Sequence, residues 1–187
     1  LDALRSPRYR RFWFGSIGST GASQLYFIGL SWLVFEMTGS AAYLGLLGFS
    51  MAVPTIVATL MGGLLADRAN RGRILLLTSI LAGLCLSFLT ILDLTESAQI
   101  WQVLILAAFL GLISGFDLPA RIAFFPSLIE SSQMMSAVAL SSILWQGTRM
   151  ILPAIGGLLI ALVDTWLLFF LCSIGFGVMG WILISLQ

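Results

Sequence analysis

Residues 62–75 read GGLLADRANRGRIL, and the seven positions from Asp67 to Arg73 hold one acid and three arginines: Arg68, Arg71 and Arg73. Apolar runs flank this stretch on both sides, so a dense charge group sits at the mouth of two hydrophobic segments. Arginines there anchor a chain at anionic headgroups. Anchoring does not require Asp67. An acid at the end of an apolar helix, four residues before Arg71, points instead to a charge network at a membrane boundary. A second pair, Asp117 and Arg121, is also four residues apart and shares a helical face. It forms either a local ion pair or part of a four-membered cluster with Asp67 and Arg71. Arg149 is a third candidate, placed midway along an apolar run with Ser142 and Gln146 on its own face. An unpaired arginine at such depth costs at least ~2.5 to 3.5 kcal/mol on insertion scales, so Arg149 must face protein or water. It either contacts a substrate or braces the bundle, donating to backbone carbonyls or to Gln24.

The same residue inventory excludes much other chemistry. The 187 residues include no His and no Lys, so there is no imidazole base, no His-ligated metal, no phosphate-loop lysine and no Schiff base. Most hydrolase, zinc-enzyme and ATPase readings fail on that ground; we expect no enzyme, no cofactor and no metal. Nine basic and eight acidic residues leave a net charge of +1, too balanced for a nucleic-acid surface. Cys85 and Cys172 lie in apolar runs, where cysteine behaves as a small hydrophobe.

What positions these side chains is a set of membrane helices. Hydrophobic residues make up 59% of the chain and charged ones 9%, with a mean hydropathy of +1.06, against roughly a quarter charged in a soluble domain. A hydrocarbon core about 30 Å thick needs ~20 apolar residues per helix. Six such windows occur, at about 12–37, 41–66, 74–94, 99–118, 137–163 and 166–186, as one six-helix transmembrane bundle over residues 1–187. Arg5, Arg8, Arg10 and Arg11, then Arg68, Arg71 and Arg73, then Arg121, all fall on one side, and Glu36, Asp93, Glu96 and Asp164 fall on the other. By the positive-inside rule both termini are expected in the cytoplasm. The segment 121–135, RIAFFPSLIESSQMM, is too polar to span and is expected to form a short interfacial helix and a turn. It divides the chain into two groups of three helices. GGLLA at 62–66 and GGLLI at 156–160, each after a proline (Pro54, Pro153), echo one another, as in the internal repeats of transporters. The first helix carries Ser16, Thr20, Ser23, Phe27 and Ser31 on one face, with Gln24 beside them.

The 62–75 segment resembles the cytoplasmic signature loop of the major facilitator superfamily, G-x-L-A-D-R-x-G-R-R/K. Gly63, Leu65, Ala66, Asp67, Arg68 and Arg71 match it; Asn70 stands where the signature has Gly, a change that a left-handed turn tolerates, and Gly72 replaces a basic residue. Residues 115–160 and the WLVFEMTGSAAYLG of the first helix are similar to the drug:proton antiporter branch of that superfamily, the branch of enterobactin exporters and macrolide efflux proteins. Pro153, Gly156 and Gly157 match the end of its fifth-helix motif, G-x8-G-x3-G-P-x-x-G-G, whereas Ala139, Thr148 and Leu152 replace the three earlier glycines. The P-x-x-G-G remainder suits a kink followed by close helix packing.

The resemblance implies an all-α integral membrane fold, the N-terminal six-helix half of a twelve-helix transporter. It implies a cytoplasmic latch made by Asp67, Arg68, Arg71, Asp117 and Arg121, and a central cavity flanked by the first and fourth helices. There Gln24, Tyr26, Phe27, Gln146 or Arg149 would meet a substrate or coupling ion. The function expected is secondary active efflux of an amphiphilic small molecule across the inner membrane by alternating access. Expected partners are the lipid bilayer and either a C-terminal six-helix half or a second copy. Two alternatives stay open: a lysolipid or lipid translocator, and a non-transporting membrane module that assembles with another protein.

Overall fold

The computed structural model describes residues 2–66 and 70–186, with residues 63–66 described by their backbone alone. Six long helices follow one another: α1 (Pro7–Thr38), α2 (Ala41–Ala66), α3 (Arg71–Leu94), α4 (Ile100–Phe124), α5 (Met134–Leu162) and α6 (Thr165–Leu186). A 3-10 turn at Asp2–Arg5 precedes α1, and two more, Phe125–Leu128 and Ser131–Gln133, join α4 to α5. Helices α2 to α6 are long and apolar enough to cross a membrane. At 32 residues α1 is longer still; its arginines, serines and glycines dilute its hydropathy. Ser16, Ser19 and Thr20 are buried inside the bundle, so this polar content is turned away from lipid. The chain is a multi-pass, all-α membrane protein.

Local signals set the helix ends. Ser6 caps α1 by accepting from Tyr9 N at 3.5 Å, Pro7 supplies a φ already suited to the first turn, and Gly39 ends the helix at φ 60°. Asn70 was expected as a left-handed stand-in for glycine. It is instead an extended residue (φ −68°) that caps α3, its Oδ1 accepting from Gly72 N at 3.1 Å and Arg73 N at 3.3 Å. Helix α4 also departs from expectation, running through Pro119 to Phe124 and not stopping near Leu118. The segment expected to hold an interfacial helix therefore starts as the last turn of α4 and continues as the two 3-10 turns. Proline removes only its own N–H from the ladder, and neighbouring helices stabilise a bent membrane helix.

Helix α2 packs on α4 and α5 on α1, while α6 lies against both α1 and α3, and α3 also meets α4. Exchanging α1 with α4, α2 with α5 and α3 with α6 maps this set of pairs onto itself, as a three-plus-three repeat requires. Small residues permit the closest crossings. A Cβ on Gly111 would overlap Met51 O, one on Gly115 would lie 2.5 Å from Thr55 O, and Thr55 Oγ1 donates to Gly111 O at 2.9 Å. Across α1 and α6, a Cβ on Gly175 would lie 2.7 Å from Gly18 O. Leu30, Leu86, Leu110 and Phe169 fill the core that α1, α3, α4 and α6 share.

Candidate functional site

Arg121 is 7% exposed, and each of its three guanidinium nitrogens donates to a partner. Its Nε donates to Asp117 Oδ2 at 3.0 Å, Nη1 to Ser16 Oγ at 3.1 Å and Nη2 to Ser19 Oγ at 3.2 Å. The other carboxylate oxygen of Asp117 accepts from Thr78 Oγ1 at 3.0 Å. One ion pair on α4 is thus held by hydroxyls from α1 on one side and α3 on the other. Burying a guanidinium demands this arrangement, because each unmet N–H in a low-dielectric interior costs more than the bond gains. The local Asp117–Arg121 pair is present and hydroxyls complete it, while the four-membered cluster would need Asp67, which lies outside the described residues.

Arg71 opens α3 and donates from Nη1 to Ala123 O at 3.1 Å. Ala123 lies in the last turn of α4, where carbonyls lack intrahelical partners and the helix dipole favours a cation. Asp67 and Arg68 lie outside the described residues.

Three adjoining cavities run between α1, α4 and α5. The inner one, about 320 Å3, is lined by Ser23, Gln24, Tyr26 and Phe27 of α1, Asp117 of α4 and Trp145 of α5, with apolar residues from the other helices. It brings the three first-helix candidates to the carboxylate of the buried pair. A small cavity of about 80 Å3 beside it reaches Ser16, Arg121 and Tyr9. The third, about 450 Å3, is lined by Ser142, Gln146 and Arg149 of α5 and by Ile122 and Phe125. Leu118 and Trp145 line all three, so these two side chains form the partition between them. Arg149 and Gln146 are exposed toward the third cavity.

Backbone acceptors tie the first turns of α1 to the start of α5. Ser6 Oγ donates to Leu128 O at 2.9 Å, Tyr9 OH to Ala137 O at 3.1 Å and Trp13 Nε1 to Leu140 O at 3.3 Å. Burial pushes the Tyr9 phenol above its usual value, against a smaller opposite effect of its bond with Ser141. At the far end of the bundle Glu36, Asp93, Glu96 and Asp164 surround a cavity of about 300 Å3, where Thr165 donates to both Asp93 and Asp164. The fifth-helix glycines divide: a Cβ on Gly156 would meet Leu25 Cδ2 at 2.9 Å, whereas one on Gly157 would meet nothing within 4 Å. Gly156 is therefore a packing glycine against α1. Among the described residues no group of His, Cys, Asp or Glu could hold a metal ion.

Sequence reasoning missed Ser19 and Thr78. A signal for Ser19 existed, three residues after Ser16 and so on the same face; nothing local marked Thr78, which meets Asp117 only once α3 and α4 are packed.

All of residues 1–187 match the family described as transmembrane secretion effector. The chain is 32% identical over 135 residues to the staphyloferrin A transporter of Staphylococcus aureus, covering 72% of this chain and 34% of that protein. It is 25% identical over 152 residues to macrolide efflux protein A of Streptococcus pyogenes, covering 81% of this chain and 38% of that protein. With the enterobactin exporter EntS of Shigella boydii serotype 18 it shares 28% identity over 134 residues, 72% of this chain and 28% of the other. The chain thus spans about a third of the length of these curated relatives, between 28% and 38%. No solved structure matches it.

Proposed function

Since this chain belongs to the major facilitator superfamily, whose members are transporters and not enzymes, we propose that it forms the six-helix half of a secondary active exporter of an amphiphilic small molecule. The observation that carries the reading is the buried Asp117–Arg121 pair, at 3.0 Å, opening on one side into a 320 Å3 cavity. Ligand sites are concave and mostly apolar with a few placed polar groups, and this cavity presents Gln24, Ser23 and Asp117 on aromatic and aliphatic walls. The names of the relatives, two siderophore transporters and a macrolide efflux protein, support export of such compounds.

In this reading the path is completed by a second six-helix unit, and the two rock about the cavity to give alternating access. Asp117 is the carboxylate that faces the path. Protonating it would release Arg121 from its ion pair while leaving the serine contacts, which is how an ion gradient could bias the two arrangements. Arg71, seated on the end of α4, together with Asp67 and Arg68, forms the cytoplasmic latch. Both termini lie in the cytoplasm and the protein sits in the inner membrane, as the one-sided arginines support.

Vesicles containing the full-length protein test this. Imposing a proton gradient should drive export of a fluorescent amphiphile, and Asp117→Asn, which keeps the size and removes the titratable charge, should abolish gradient-driven flux while the protein stays folded. Wild-type flux in Asp117→Asn would reject the coupling role, and absence of flux in the wild type would reject transport.

A further inference from the structure

We infer that the transported molecule carries an anionic group, which Arg149 binds while Trp145 packs against its apolar body. The inference rests on the transporter reading for the identity of the molecule as cargo and deepens it by assigning a chemical class. Three charged side chains line the adjoining cavities: Asp117, Arg121 and Arg149. The first two cancel, since they are paired at 3.0 Å and their remaining polar atoms are taken by Thr78, Ser16 and Ser19. Arg149 is left as the one cation of the path that no described residue neutralises, and it is exposed to the 450 Å3 cavity with Ser142 and Gln146 on the same wall.

Depth makes this unpaired charge informative. Arg149 lies fifteen residues from the start of α5 and thirteen from its end, so at 1.5 Å per residue it is roughly 20 Å from either terminus. Neither headgroup region is in easy reach, and a guanidinium held at that depth binds carboxylate or sulfonate oxygens through two parallel N–H donors. Trp145, one turn before it, borders all three cavities and shares the wall of the third with the cation. A ligand that is apolar at one end and anionic at the other fits both at once. The field along the bundle agrees with export: arginines surround the α1 and α3 starts, and four acids surround the far end. An anion is drawn in at the first and disfavoured from rebinding at the second.

Two dyes with one aromatic body separate charge from greasiness: 8-anilino-1-naphthalenesulfonate and its neutral counterpart N-phenyl-1-naphthylamine. Kd values for the purified full-length protein are read by energy transfer from tryptophan. Wild type should prefer the sulfonate by about tenfold or more, the scale of a charge-assisted contact. Arg149→Gln should bring the ratio close to one, Arg149→Lys should keep most of it, and Trp145→Ala should weaken both dyes with the ratio preserved. The lysine variant guards against misfolding as the cause. A wild type without preference, or an Arg149→Gln protein that keeps it, overturns the anionic cargo. The expected ratios without gradient-driven flux of either dye would leave an anion site standing and overturn the transport reading instead.

Discussion

Asp117→Leu removes the acid from a pair whose arginine and carboxylate side chains are 9% and 18% exposed. Breaking a buried pair by deleting one partner costs about 3–5 kcal/mol, because the survivor keeps its desolvation penalty without its counter-charge. Arg121 would retain only Ser16 and Ser19, and interhelical hydrogen bonds of this kind average about 0.6 kcal/mol each in membranes. Those two bonds are present in the wild type as in the variant and so do not reduce the cost, leaving a loss of about 3–5 kcal/mol for Asp117→Leu. Arg121→Met should cost less, about 1–2 kcal/mol, because Asp117 keeps Thr78 and opens onto the 320 Å3 cavity, so its charge is less desolvated than that of Arg121. The double variant Asp117→Leu/Arg121→Met should be more stable than Asp117→Leu alone by at least ~1 kcal/mol, since no orphaned charge remains. Thermal unfolding in detergent can be followed with a thiol-reactive dye at Cys172, which is 1% exposed in the folded bundle. For a chain of this size 1 kcal/mol moves Tm by roughly 2–4 °C, so Asp117→Leu should melt several degrees below Arg121→Met. Equal losses in the two single variants, adding in the double, would show that the pair is not energetically coupled and refute the reasoning.

Helix crossings give a sharper contrast. Gly115→Ala should destabilise the bundle by a few kcal/mol, because its Cβ would lie 2.5 Å from Thr55 O, whereas Gly157→Ala meets open space and should be neutral or stabilising by up to ~1 kcal/mol; similar melting points for the two would refute the packing assignment. In a Cys85→Ala/Cys172→Ala background, single cysteines at the exposed Ser97 and Ser127 should react with an impermeant maleimide from opposite sides of the membrane, and same-side labelling would overturn the topology. The Tyr9 phenol, raised by burial above its usual 10.0, stays protonated in the fold after the unfolded chain has begun to ionise, so the folded state binds more protons and stability falls as pH rises above about 10. Tyr9→Phe should lose about 1 kcal/mol at neutral pH with the bond to Ala137 O, and its melting point should decline less steeply between pH 10 and 11; an unchanged slope would count against a buried phenol.

Which parts of this structure could be read from the chain follows from how local each signal is. Helix positions come from unbroken apolar runs, and the two ends of the bundle from where arginine occurs, so both were accessible residue by residue. The fourth window ended at 118 whereas α4 continues through Pro119 to Phe124, since a ring that would stop an isolated helix is tolerated where α2 packs alongside. Asn70 was read through its place in a signature when its position just ahead of the apolar run already marked it as a cap. The partners of the buried pair are of another kind: Ser16 and Ser19 lie 105 and 102 residues from Arg121, Thr78 lies 39 residues from Asp117, and all three meet the pair only after α1, α3 and α4 are assembled. Arg149 was conspicuous as a charge in an apolar run; which cavity it joins depended on how α5 packs on α1 in the assembled bundle, and no periodicity encodes that.

The order in which the helices touch also constrains how the protein is made. Apart from α3 with α4, the main contacts join helices distant in the chain: α1 and α3 both rest on α6, and α2 rests on α4. During synthesis α1 therefore enters the bilayer long before its chief mate exists, carrying Arg121's future hydroxyl partners with it. Those serines have no guanidinium to bind until α4 arrives, and the α1 and α3 faces that α6 covers stay open until α6, the last of these six helices to emerge, has been inserted. Assembly must wait for the sixth helix, leaving a window in which quality-control proteases meet exposed polar faces inside the membrane. Faults in α6, such as a bulky residue at Gly175, should consequently show as nascent-chain degradation and low abundance before they show as altered activity.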